Sequence, residues 1–114
     1  MHISHYSFGS ITVDGAVYRS DVILSPNGIN DRWWRREGRR LGIDDLGPVL
    51  EYHPEVLVIG TGNVGCMEVP QATLDHLASL GIKTHMARTG EAVGIYNRLA
   101  RQYKAIVAAL HLTC

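Results

Sequence analysis

Glycines stand at positions 60, 62 and 65, with Thr61 and Asn63 between them, directly after the apolar run Val56–Ile59. That spacing lets the backbone turn sharply and offer N–H groups to an anion. Read literally it is the G-x-G-x-x-G pattern of dinucleotide-binding turns, in which the third glycine opens a helix at once. Here Pro70 puts the next helix start about five residues later, and no carboxylate lies about twenty residues on to hold a ribose hydroxyl. His85 and Arg88 occupy that region instead. The pattern is therefore read as a structural turn lining a small pocket, with no cofactor expected.

Arg88, Thr89 and Gly90 are the second group with chemical potential. Thr89 is expected to N-cap a helix, and helix starts favour negative charge. If the strands before the two loops are parallel neighbours, Gly60–Asn63 and Arg88–Gly90 meet at one sheet edge. A weak anion pocket is expected there, with Trp34 or Arg35 closing it. The alternative is that these amides satisfy one another across a packed loop junction.

Trp34 and Arg35 belong to Asp31–Arg40, which holds five arginines and two tryptophans. Cations interleaved with aromatic faces suit nucleic-acid backbones and bases. Eleven basic residues are matched by eleven acidic ones, however, and there is no second basic stretch, so nucleic acid is not the expected partner. One Trp is expected to anchor the loop in the core. The arginines would be solvated or paired with Asp31, Asp44 or Asp45, with a single one free to reach an anion.

Other chemistries find little support. The six histidines (2, 5, 53, 76, 85 and 111) show neither HExxH nor Cys/His pairing, so no metal is expected. His85 is read as a packing residue on a strand. There is no GxSxG elbow. Cys66, beside the glycine loop, is read as a small buried residue, with an activated thiol as the alternative. Cys66 and Cys114 lack CxxC spacing, and free thiols point to the cytoplasm. No apolar run approaches the roughly 18 residues of a membrane span, and no secretory signal is visible.

The elements that must position these residues form a single domain over residues 1–114. Asp14-Gly15 between two β-prone runs predicts a type I′ hairpin, and Asp21–Ser25 continues as strand to Pro26, so the N-terminal third reads as antiparallel β. Ile43–His53 predicts a short or irregular helix. Val56–Ile59 and Ala105–Leu110 lack alternation, as strands buried on both faces do. Helices are predicted at Pro70–Leu80 and Thr89–Gln102, with Gly81 left-handed after the first and a strand at Ile82–Met86. Strand 56–59, helix and strand 82–86 form a right-handed parallel crossover. Asn97, on an otherwise apolar helix face, is expected to bond backbone near the glycine loop or a neighbouring turn. The fold class is α/β: three layers with a mixed central sheet.

Pro54-Glu55-Val56-Leu57-Val58-Ile59-Gly60-Thr61-Gly62, Pro70, Gly81-Ile82, Thr89, Ala92, Tyr96-Asn97-x-Leu99 and Val107–Cys114 together resemble one family, with Trp34-Arg35 matching its upstream Trp segment. It is the small α/β domain family of unknown molecular function that includes the third mitochondrial complex I assembly factor and the adipogenesis-associated domain-containing protein. The resemblance spans nearly the whole chain and implies a three-layer fold with a mixed sheet. Its eukaryotic members assist assembly of respiratory complex I. The expected function is a non-catalytic binding or assembly module with a protein partner and a small anion pocket. The alternative is a small enzyme or nucleotide-binding protein using the glycine loop.

Overall fold

Asp14 and Gly15 both take positive φ, 50° and 83°, in the computed structural model, which describes residues 1–114. This is the type I′ geometry expected of Asp-Gly, and it joins two antiparallel strands with Val13 opposite Ala16. Three strands form this first sheet in the order β1-β2-β3: β1 Ile3–Ser7, β2 Ser10–Val13 and β3 Ala16–Tyr18. β1 lies outside the predicted elements, because its residues are mostly polar and only Ile3 is buried.

The main sheet takes the remaining strands: β4 Val22–Ser25, β5 Gly28–Asn30, β6 Val56–Thr61, β7 Lys83–Ala87 and β8 Ile106–His111. Their order is β5-β4-β8-β6-β7. β6 pairs in parallel with both β7 and β8, while β4 runs antiparallel to β8 and β5. The sheet is thus mixed, as predicted, with β6 and β8 both interior. The antiparallel N-terminal third divides between two sheets, because the chain leaves β3 before β4 joins β8.

Burial on both faces explains the missing alternation. Val22, Leu24, Val56, Val58, Ala108 and Leu110 point into one core, while Ile23, Leu57, Ile59, Val107 and Ala109 point into the other. Each fully buried aliphatic chain contributes about 1.5–3 kcal/mol relative to exposure. The first core is closed by α3, Thr89–Leu99, and the small sheet, through Ala92, Tyr96, Leu99, Ile3 and Ile11. The second is closed by α2, Gln71–Ser79, a 3₁₀ turn at Ile43–Asp45, α1, Gly47–Leu50, and Trp33.

From β6 the chain passes through α2 to its outer neighbour β7, then returns through α3, across β6, to β8. The direction of travel reverses and so does the face covered, so both crossovers keep the same hand, as parallel connections require. Gly81 has φ +76° after α2, as expected. α3 stops at Leu99 rather than Gln102, since residues 100–102 close with turn-type bonds such as Gln102 N–H to the Leu99 carbonyl. β7 is an edge strand, and His85 on it is exposed instead of packed. Asn97 engages backbone with both ends of its amide, Oδ1 accepting from Ile3 N–H at 2.9 Å and Nδ2 donating to the Ile3 carbonyl at 2.8 Å. Its partner is the N-terminal strand, not the glycine loop.

Candidate functional site

The carboxyl ends of β6 and β8 lie side by side, with Thr61 opposite His111. The expected loops meet here. Thr89 N–H donates to the Gly62 carbonyl at 3.0 Å, and Gly62 N–H donates to the Thr89 hydroxyl at 2.9 Å. That hydroxyl in turn donates to the His111 carbonyl at 2.5 Å. Thr89 is therefore not the N-cap; Arg88 is, and Thr89 is the first helical residue, fully buried and spent on joining three segments.

The glycines are explained by close packing. A Cβ at Gly60 would stand 2.8 Å from Thr89 Oγ1 and 2.9 Å from Leu110 Cδ2. At Gly62, whose φ is +108°, it would stand 2.5 Å from the Thr113 carbonyl oxygen. Thr113 and Cys114 lie along the loop, their carbonyls accepting from Asn63 N–H and Cys66 N–H at 2.9 Å each. The N–H groups of Gly62, Asn63 and Thr89 thus have protein acceptors. Gly90 is exposed at the helix start. Cys66 is exposed rather than buried, because its backbone, not its side chain, is tied to the tail. Arg88 lies over the loop: a Cβ at Gly65 would be 3.4 Å from its Cγ and 3.8 Å from its Nε, and 3.6 Å from Thr61 Oγ1.

Trp34 stands 74 % exposed in solvent, whereas Trp33 is the buried anchor. Arg35 is buried too, and its partner is none of the three acids nearby in sequence. Its Nη2 donates to Asp21 Oδ2 at 2.8 Å, with Nε and Nη2 both donating to the Gly38 carbonyl, and its guanidinium sits 4.3 Å from the Trp33 ring centroid. Arg36 does reach Asp44, at 3.8 Å with both side chains largely exposed, a contact of little energetic weight.

Asp21 is the hub of this arrangement. Oδ2 also accepts from His111 Nδ1 at 2.8 Å, and Oδ1 from Leu112 N–H at 2.8 Å. Both Nη2 protons of Arg35 are already directed at Asp21 and Gly38, so Nδ1 carries its own proton; the tautomer is assigned from this donor count. Burial pushes the Asp21 carboxyl up, but the bonds from His111, Leu112 and Arg35 outweigh it and hold the pKa below the ordinary 3.8. Arg35 Nη1, His111 Nε2 and Trp33 Nε1 are enclosed without partners. The cluster gathers no third metal-ligating side chain.

Asp21 and His111 were absent from the candidate residues because they are joined across 90 positions of sequence. Only the pairing of β4 with β8 brings them together. The available signal was a His in the apolar run 105–112 and an Asp heading another.

Residues 3–111 match the model of a family described as protein of unknown function, DUF498/DUF598. Among solved structures, a conserved hypothetical protein of Pyrococcus horikoshii OT3 is 25 % identical with a TM-score of 0.83, each chain covered completely. A Bartonella henselae structure described as an outer membrane protein is 28 % identical with a TM-score of 0.81, covering 98 % of this chain and 94 % of the other. A Bordetella pertussis protein described as a Mth938-like domain shares the fold at 18 % identity, with a TM-score of 0.73 over 97 % of this chain and 85 % of its own. No helix here is long and apolar enough to cross a membrane.

Proposed function

The chain belongs to the DUF498/DUF598 family of proteins of unknown function, and from that premise we propose that it is a non-catalytic binding or assembly-assisting module. It works through contacts with a protein partner, and the rim of the glycine loop meets an anionic group. One observation carries the anion reading: Arg88 is exposed, belongs to none of the ion pairs, and lies on Gly65 beside the first turn of α3. The Gly60–Asn63 segment then acts as a rigid support, its amides engaged internally, while Arg88 and the exposed Gly90 face the ligand. Assembly assistance rests on the resemblance to the complex I assembly factor. Placement in the cytoplasm rests on two free cysteines.

The test is an amide-shift titration by NMR with phosphate, sulfate and nucleotides, on the wild type and Arg88→Ala. Shifts confined to residues 60–65 and 88–90, and lost in the variant, are the expected result. No shift at about 10 mM, a dissociation constant weaker than roughly −3 kcal/mol of binding, removes the anion from the reading and leaves the protein contact alone.

An enzyme is the second reading, favoured by the Asp21–His111 pair, which resembles the orienting half of a general-base system. Its Nε2 is enclosed, so a substrate would reach it only after the groups around it moved away.

A further inference from the structure

At the end of the sheet opposite the glycine loop, the last turn of α3 and the Ser25–Pro26 bend frame a cavity of about 350 Å³. That is the size of small-ligand sites. Tyr96 lines it while remaining only 3 % exposed. Its hydroxyl takes part in none of the side-chain hydrogen bonds and is not among the enclosed polar atoms, so the ring is buried while the hydroxyl opens onto the cavity. Burial first, and then the charge of Asp14, raise its pKa above the ordinary 10.0, so at neutral pH the hydroxyl keeps its proton and is a donor.

Charge and polarity around the cavity are one-sided. Arg101 and Lys104 line it, neither belongs to an ion pair, and no acidic side chain lines it. Asp14, the acid that Tyr96 senses, is engaged by the His2 amide at 2.9 Å. Half of the lining is apolar, including Tyr103 and Ile106.

Cations just past a helix C-terminus need no ligand to be there, since the helix dipole favours them by about 0.3–1 kcal/mol. That accounts for Arg98 in the last turn of α3. It does not account for a tyrosine hydroxyl that has no protein partner and opens onto a cavity of ligand size. We propose that this cavity binds a small organic carboxylate carried on an aromatic or short aliphatic body. Arg101 and Lys104 meet the carboxylate, the Tyr96 hydroxyl donates to the ligand, and Tyr103 and Ile106 cover its apolar part. Inorganic phosphate fits less well, because it has nothing to place against the apolar half.

The experiment is an amide-shift titration with phenylacetate, using neutral phenylacetamide and inorganic phosphate as controls. Phenylacetate at about 10 mM is expected to move the amides of Gln102, Tyr103 and Lys104, and both controls to move them much less. The double variant Arg101→Ala/Lys104→Ala alters two exposed side chains and should weaken binding about tenfold with the fold intact. Tyr96→Phe keeps the ring packing and should weaken it a few-fold; its spectrum reports whether the core is preserved. Equal shifts from phenylacetate and phenylacetamide overturn the proposal. So do unchanged affinity in the double variant and an absence of shifts with phenylacetate. The residues read here lie at the other end of the sheet from Arg88, so failure at one site says nothing about the other.

Discussion

Arg35 shows how much one side chain can organise when it is buried with its counter-charge. It closes Trp33 over the second core, meets Asp21, and holds the Gly38 carbonyl. Replacing it by an apolar residue of similar volume leaves Asp21 ionised and half-buried with fewer donors. We expect Arg35→Met to lose about 3–5 kcal/mol, the usual cost of breaking rather than replacing a buried pair. The pH dependence follows from Asp21. Its pKa is lowered on folding, so the cluster's contribution is complete above the ordinary carboxylate value and is lost as pH falls through the lower folded value. Urea unfolding of wild type and Asp21→Asn should therefore give a stability difference that is large at pH 7 and shrinks below about pH 4. A difference independent of pH would mean that the Asp21 charge is not what matters.

Elements were legible where their signal was local. β6 and β8 announce themselves as unbroken apolar runs, α2 by helical spacing after Pro70 and before Gly81, α3 by helical spacing from Thr89, and the β2–β3 turn by Asp14-Gly15. β1 and β5 were not, because a short, mostly polar strand carries no pattern of its own and is made by its partner. The site divides the same way. The meeting of the Gly60–Asn63 and Arg88–Gly90 loops followed from parallel pairing, but the use of Thr89 as a three-way link needed the position of His111 to be known. Asn97 belongs to this scale, since it is the polar tie between α3 and the small sheet. Asn97→Ala should cost about 1–3 kcal/mol by leaving Ile3 N–H and C=O unpaired. Hydrogen exchange should show faster opening of β1 with β6 and β8 unaffected; uniform acceleration across both sheets would show instead that the tie supports the whole molecule.

At the scale of the molecule, two cores share one sheet, and the chain's last residues lie across the point where its central strands end. Leu112 is fastened to the first core and its surroundings: its N–H goes to Asp21, and its carbonyl accepts from Gly9 N–H and the Tyr6 hydroxyl at 2.8 and 2.9 Å. Thr113 and Cys114 then continue over the glycine loop and accept from Asn63 and Cys66. The crevice that α/β sheets commonly offer to ligands is thus partly filled by the protein's own backbone. A chain cut after Leu112 keeps the anchor and loses only the cover. Its Asn63 and Cys66 amides should exchange at least about tenfold faster, with protection in β6 and β8 retained, because opening is local. The same truncation should strengthen any anion-induced shifts at residues 60–65, since two N–H donors are released beside Arg88. If exchange at both amides stays slow, the loop holds its shape without the tail. In that case Gly60, packed against Thr89 and Leu110, and the two hydrogen bonds between Gly62 and Thr89 are sufficient to fix it.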